Sequence, residues 1–265
     1  MNLNHMLQYV VLIIILIHIH PTFGMKLLNL KRWGKKCLKC IVYCIKNILK
    51  MNKYSVIIPT LWKSNRTEQL IRDLNECDFV DEIIIIDNTN TDEWDRTYRK
   101  IRTVSKGENI YVNPAWNWGI ELAKNECIAL LNDDINFDPN IFGIIDKNVL
   151  DTFGIIGMGE GNYKTPIDEE RGPYLDVWQP GVNDWGWGCF IIFDKKNWID
   201  IPDNIKIWYG DNFIKDVNPS PKAVLRNFRV DTEMSTTSDE KEWDERKKED
   251  YNNFINYLRN EKVTN

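Results

Sequence analysis

CIALLNDDINF, residues 127–137, is the stretch on which the reading of this chain turns. An apolar run, Ile128 to Leu131, stops abruptly at Asn132, Asp133 and Asp134. That pattern predicts a buried strand whose carboxyl end opens into a site. In open α/β sheets, ligands bind beyond the carboxyl ends of the strands. Two adjacent carboxylates repel each other there unless something positive sits beside them. A divalent cation is the usual solution, and hard oxygen ligands suit Mg²⁺ or Mn²⁺. The plainer alternative is a turn, because Asn and Asp favour turns after strands.

Upstream, Tyr54–Thr60 (YSVIIPT) reads as a strand stopped by Pro59. Residues 65–76 read as a helix with Leu70, Ile71 and Leu74 on one face. Ile83–Ile86 is a second apolar strand, ending in Asp87 and Asn88. Strand, crossover helix and strand make a βαβ unit and a buried parallel sheet. Asp87 sits where a nucleotide-binding sheet places an acidic side chain on base or ribose; it could equally be a turn or cap residue. Ile110–Val112 reads as a third strand, leading through Asn113 and Pro114 into a helix over 115–125. Gly119 on that helix suggests close approach of another backbone or ligand. Three strands thus end in polar side chains, Thr60, Asp87 and Asp133–Asp134, and their convergence outweighs any one of them.

Downstream, the pattern predicts a helix near 139–149 and a strand at Ile155–Ile156. Residues 157–185, rich in Gly, Pro and charge, read as a substrate loop. Trp185-Gly186-Trp187-Gly188 runs into a buried strand, Cys189–Phe193. Trp178, Trp185 and Trp187 could stack on a sugar ring or pack in the core. Asp211, after Gly210, is either a helix N-cap or a placed base. Residues 228–237 read as a strand and Thr237–Glu240 as a capping box. A charged helix over 239–262 would pack through Trp243, Tyr251, Phe254, Ile255 and Leu258, its charges forming a solvated surface.

Composition narrows the chemistry. The three histidines, His5, His18 and His20, all lie in the N-terminal segment. Ser-His, Cys-His and His-ligated zinc chemistry are therefore excluded from the body, leaving carboxylates, Lys, Tyr or Cys. Cys37, Cys40 and Cys44 lack a matching second pair, which argues against zinc; Cys77, Cys127 and Cys189 read as small core residues. Residues 1–53 hold nine Lys and Arg and no acid, so the remainder carries about −14 (the net −5 less +9). An acidic body argues against nucleic acid as a partner.

Residues 1–24 contain an apolar run, 6–19, too short for an ordinary spanning helix and similar to a signal or weak anchor. The basic residues follow it, which places the body on the cytoplasmic face. Residues 25–52 include KKCLKCIVYCIKNILK (35–50), a candidate basic amphipathic helix for a membrane surface. A solvated helix, or a natural start at Met25 or Met51, explains the same residues.

Five segments in order resemble GT-A glycosyltransferases of the family 2-like kind: YSVIIPT (54–60), EIIIIDNTN (82–90), NPAWNWGIELAKNECIALLNDD (113–134), WGWGCFIIF (185–193) and WYGDNF (208–213). The resemblance implies a Rossmann-like α/β fold with a mostly parallel central sheet flanked by helices. It spans a single domain over 53–240, with 241–265 as a C-terminal helix packed on it. It also implies a nucleotide-diphosphate sugar donor, a carbohydrate-bearing acceptor and Mn²⁺ or Mg²⁺. By similarity Asp87 would bind the base, Asp133 the ribose and Asp134 the metal. Pro59, Thr60, Asn113 and Asn117 would line the nucleotide-sugar pocket. Trp185, Trp187 and Gly188 would meet acceptor or sugar, and Asp211 would be the general base. This chain departs from the family in two places. Many relatives have a late His as metal ligand or phosphate contact; Asp231 or Glu233 occupies that neighbourhood here. Asn132 stands at the first position of the DXD-like motif. The expected activity is inverting transfer of one sugar at a time. The departures motivate the alternative of a catalytically silent nucleotide-sugar or carbohydrate-binding module.

Overall fold

Cys127–Leu131 is buried throughout and forms β4, as an unbroken apolar run requires of a strand covered on both faces. The computed structural model describes residues 52–89, 98–181, 184–233 and 243–264, all within one compact unit, Asn52–Asn265. β1 (Tyr54–Thr60) pairs with β4 in parallel, β2 (Val80–Asp87) with β1, and β3 (Ile101–Val104) with β2. Beyond β4 the direction reverses. β8 (Phe190–Asp194) runs antiparallel to both β4 and β6 (Ile155–Met158). β9 (Lys222–Arg226) is parallel to β6, and β7 (Tyr174–Val177) closes the edge antiparallel to β9. The eight-stranded order is β3-β2-β1-β4-β8-β6-β9-β7. A separate two-stranded sheet joins β5 (Ile135–Phe137) to β10 (Val230–Thr232). This is the expected α/β architecture, with a mixed central sheet.

Alternation along β1 divides the core. Val56 and Ile58 pack on one face with Leu70, Ile71 and Leu74 of α1 (Thr67–Glu76), while Ile57 packs on the other with α2 (Val112–Leu122). A Cβ on Gly119 of α2 would lie 2.4 Å from Ile57 Cγ2. The helix can sit against the strand only because that position has no side chain.

Several predicted elements differ. Ile110–Val112 is not a strand: Tyr111 has φ 68° and Val112 already begins α2. The third parallel strand is the half-exposed Ile101–Val104. The helix expected near 139–149 is two short ones, α3 (Ile141–Ile144) and α4 (Lys147–Phe153), the second capped by Asp146, which accepts from Val149 N at 3.0 Å. The expected substrate loop contains α5 (Gly161–Lys164) and β7. α6 is Gly210–Asp216 and α7 is Asp244–Thr264. On α7, Phe254 is buried but Tyr251 is 47% exposed, so the expected packing face is narrower. Residues 6–19, 35–50 and 237–240 lie outside the described residues. Among the described residues no helix is long and apolar enough to cross a membrane.

Candidate active site

The carboxyl ends of β2, β1 and β4 lie side by side, with Thr60 in register with Asp87. Pro59, Thr60, Asn132, Asp133 and Asp134 line one cleft of about 330 Å³. Gly186, Gly188 and Cys189, from the loop that precedes β8, line it too, as does Asp211 of α6. The antiparallel direction of β8 is what brings that loop here: its start, not its end, adjoins the end of β4. Asn132 N donates to Cys189 O at 3.0 Å and fastens the two segments together.

Asp133 is held by β1. The Thr60 hydroxyl donates to its Oδ2, and Thr67 Oγ1 donates to its main-chain oxygen at 3.0 Å. Burial, with the neighbouring Asp134 charge adding to it, pushes the Asp133 carboxyl up to about 6 despite that hydrogen bond. Asp134 is 6% exposed, and its Oδ1 is buried without a hydrogen-bond partner. Burial raises it as well, and the charge of Glu233 raises it further. Pairing of β5 with β10 sets Thr232 opposite Ile135 and so brings Glu233 to this corner, where it meets Arg66 at 3.5 Å. Asp231 instead pairs with Arg229 at the surface, at 2.7 Å. Of the two acids expected near the absent His, Glu233 is the one whose charge reaches Asp134.

Among the described residues no group of three or more His, Cys, Asp and Glu is gathered for a metal. The orphaned Asp134 oxygen beside Asp133 nevertheless fits a hard cation. Mg²⁺-like ions typically take one or two carboxylates and complete their shell with water and substrate phosphates. Both carboxylates are held towards the protonated form by burial, a cost that a cation offsets.

Asp211 is the second residue of α6. It is not the N-cap; that position is Tyr209, whose φ is 65°. Lys215, one turn on and 7% exposed, donates to Asp211 Oδ2 at 3.1 Å. A Cβ on Gly188 would lie 3.0 Å from Asp211 Cβ, so glycine permits their approach.

Four residues expected to make contacts are not among those that line the cleft. Trp187 is fully buried between sheet and helix layers, and its Nε1 donates to Ala223 O at 3.2 Å; it is core, not a sugar platform. A Cβ on Gly157 would lie 2.3 Å from its ring. Trp187→Phe should lower stability by about 1–3 kcal/mol, through lost packing and one lost hydrogen bond, and leave turnover within about twofold. Urea unfolding and a rate assay check both halves. Asn117 is saturated by structure: its amide donates to Ile201 O at 2.8 Å, and its oxygen accepts from Trp198 Nε1 and Ile201 N. Asn113 is fully buried and donates to Ile205 O at 3.1 Å, so it holds a loop and does not line the cleft. Asp87 is 1% exposed, and its carboxylate accepts from Thr89 N and Oγ1 at 2.8 and 2.7 Å. Asn88, not Asp87, lines the cleft. Trp185, by contrast, is 61% exposed beside Gly186.

Sequence reasoning missed Tyr111, Trp116, Trp208 and Trp243, which also line the cleft. Trp243 meets Tyr111 edge-on at 6.2 Å, so the residue before α7 forms part of the wall. The signal available was only their aromatic character, which core packing explains equally well. Cys77, Cys127 and Cys189 are free and buried, as expected of core thiols. Burial pushes the Cys189 thiol far up, so it is no nucleophile despite lining the cleft.

Residues 55–174 match the family model described as Glycosyl transferase family 2. Among solved structures, the chain is similar to the crystal structure of S. aureus TarS 1-349, at 16% identity and a TM-score of 0.48. The alignment covers 65% of this chain and 57% of that one, so it spans little more than half of that structure. No curated protein matches the chain.

Proposed function

We propose, from the match of residues 55–174 to the family 2 glycosyl transferases, that this protein is an inverting, metal-dependent transferase. It would move one sugar from a nucleotide-diphosphate donor to a hydroxyl of a glycan, lipid-linked or protein acceptor. The observation that carries this reading is a division of labour within one cleft. Asp133 and Asp134 lie where a cation and donor would bind, and Asp211 stands apart from them as a carboxylate held by Lys215.

Asp134, with Asp133 beside it, would hold Mn²⁺ or Mg²⁺. When bound, the ion neutralises charge that develops on the nucleotide-diphosphate leaving group. Thr60 fixes the Asp133 carboxylate, and Pro59 and Asn88 form walls for the nucleotide. Lys215 occupies Oδ2 of Asp211 and leaves Oδ1 to take the proton of the incoming hydroxyl. With one base and an inert Cys189, a single displacement accounts for the residues present, and its outcome is inversion. Trp185, exposed at the mouth, offers a face for an acceptor sugar. We assign residues 1–50 to a membrane surface on the cytoplasmic face from their composition alone.

Calorimetric titration with UDP, GDP and dTDP, with and without Mn²⁺, tests the donor side. One nucleotide should bind tightly, and only with Mn²⁺. Because Asp133 is pushed up to about 6, acid should protonate it and weaken the ion's site. The Mn²⁺ effect should be full near pH 7.5 and largely lost near pH 5. Metal-independent binding with no turnover would favour the silent-module reading, and no binding at all would end the donor assignment.

A further inference from the structure

The loop that delivers Asp211 to the cleft is held from outside the family-matched segment. The backbone N–H groups of Lys206, Ile207 and Trp208 all donate to the Asp250 carboxylate of α7, at 2.9, 2.8 and 3.1 Å. Asp250 is fully buried. A carboxylate placed there is stable only because its acceptors are filled, and three successive amides fill them. Helix formation itself does not require this; the loop is what gains its shape.

Ile207 and Trp208 line the cleft, and Asp211 follows three residues later. Between them Tyr209 adopts φ 65°, a conformation costly for a bulky side chain. Its ring stacks on Phe254 of α7, with centroids 5.7 Å apart at 17°. From the other side Asn113 N donates to Lys206 O at 3.0 Å, and its amide donates to Ile205 O at 3.1 Å. A Cβ on Gly210 would lie 2.1 Å from Asn113 Oδ1. The segment is thus gripped between α2 and α7 with no slack at its glycine.

We propose that Asp250 is a positioning residue for sugar transfer: through the amides of 206–208 it sets where Trp208 and Asp211 stand in the cleft. This rests on the reading of Asp211 as the base. Asp250→Asn keeps the size but replaces one accepting oxygen with a donor that faces a main-chain N–H. Misplacing a catalytic group by about 1 Å costs on the order of a hundredfold.

The test uses the full chain. It follows nucleotide release from UDP-glucose, GDP-mannose and dTDP-glucose with Mn²⁺, and binding of UDP, GDP and dTDP by calorimetry. For Asp250→Asn the expected result is a kcat lower by about ten- to a hundredfold, with Kd for the preferred nucleotide within about twofold. The control is Asn253→Ala, which removes another α7-to-loop hydrogen bond, to Asn204 O at 2.7 Å. It should leave kcat unchanged. If Asp250→Asn does not fold, Phe254→Leu, which loosens Tyr209, must show the same kcat loss with Kd retained. Unchanged kcat in a folded variant overturns the proposal. So does an equal loss in kcat and nucleotide affinity, or an equal effect of Asn253→Ala; these mark a general loosening. A wild-type chain that turns over none of the three donors overturns the functional reading itself.

Discussion

Asp211→Asn should lower kcat for sugar transfer by about a thousandfold while leaving the fold and donor binding intact. Removing a positioned general base typically costs 10²- to 10⁴-fold, and about a thousandfold corresponds to roughly 4 kcal/mol of barrier. Asn is nearly isosteric, and its oxygen can still accept from Lys215, now at 3.1 Å from Asp211 Oδ2. Gly188 would meet the same Cβ as before. What is lost is the capacity to take a proton from the acceptor. KM for the nucleotide sugar should therefore change little, and kcat and kcat/KM should fall together, the signature of an interaction made in the transition state. Steady-state kinetics on the variant decides this. A variant with wild-type kcat would remove Asp211 from the chemistry.

Asp134→Ala should act in opposite directions on function and stability. Without the orphaned Oδ1, the Mn²⁺-dependent part of nucleotide binding should vanish and transfer should fall on the order of a thousandfold, because charge on the leaving group goes uncompensated. The metal-free protein should nevertheless become more stable by about 1 kcal/mol. A buried polar atom with no partner costs about 1–3 kcal/mol, and removing it together with a buried charge outweighs the Thr232 hydrogen bond that is lost with it. Calorimetry with Mn²⁺ and urea unfolding in chelator give the two halves. A variant that keeps Mn²⁺-dependent binding would place the cation elsewhere; one destabilised without metal would mean that the Thr232 hydrogen bond and the Arg66 charge on Asp134 outweigh its orphaned oxygen.

The first half of the sheet was legible in the sequence because its strands are buried on both faces. Val56–Ile58, Ile83–Ile86 and Ile128–Leu131 are unbroken apolar runs; the last two stop at Asp87 and Asn132, and the first at Pro59, one residue before Thr60 ends the strand. Ile101–Val104 was passed over because Arg102 and Thr103 make it short and polar, as an edge strand should be. Ile110–Val112 has strand-like residues, yet a left-handed Tyr111 turns it into a helix start. Periodicity cannot report that conformation.

Within the site, Asp133, Asp134, Asp211 and Gly188 were identified by type and neighbours, and the fold gathers all four into one cleft. The asparagines stand outside the cleft lining for a physical reason. An amide on a helix serves a ligand or a loop carbonyl equally well, and Asn113 and Asn117 each found carbonyls far along the chain. Trp187 and Trp185, two residues apart, take opposite roles, buried and exposed. Asp250 was hidden most completely. Amid DERKKEDYNNF it reads as one more surface charge, and only the long-range contact with 206–208 separates it from its neighbours.

The antiparallel β8 has a consequence for how such a protein can diversify. β6 ends beside the start of β8, so residues 159–189, which also supply the edge strand β7, leave β6 and enter β8 at adjacent points. That excursion carries exposed Trp185, while Asp133 and Asp134 belong to the earlier, parallel half. Lengthening a loop closed at fixed ends costs little, about 0.6 kcal/mol per doubling. Apart from β7 and the buried Trp187, the excursion can therefore be rewritten without changing the register of the strands that carry Asp133 and Asp134.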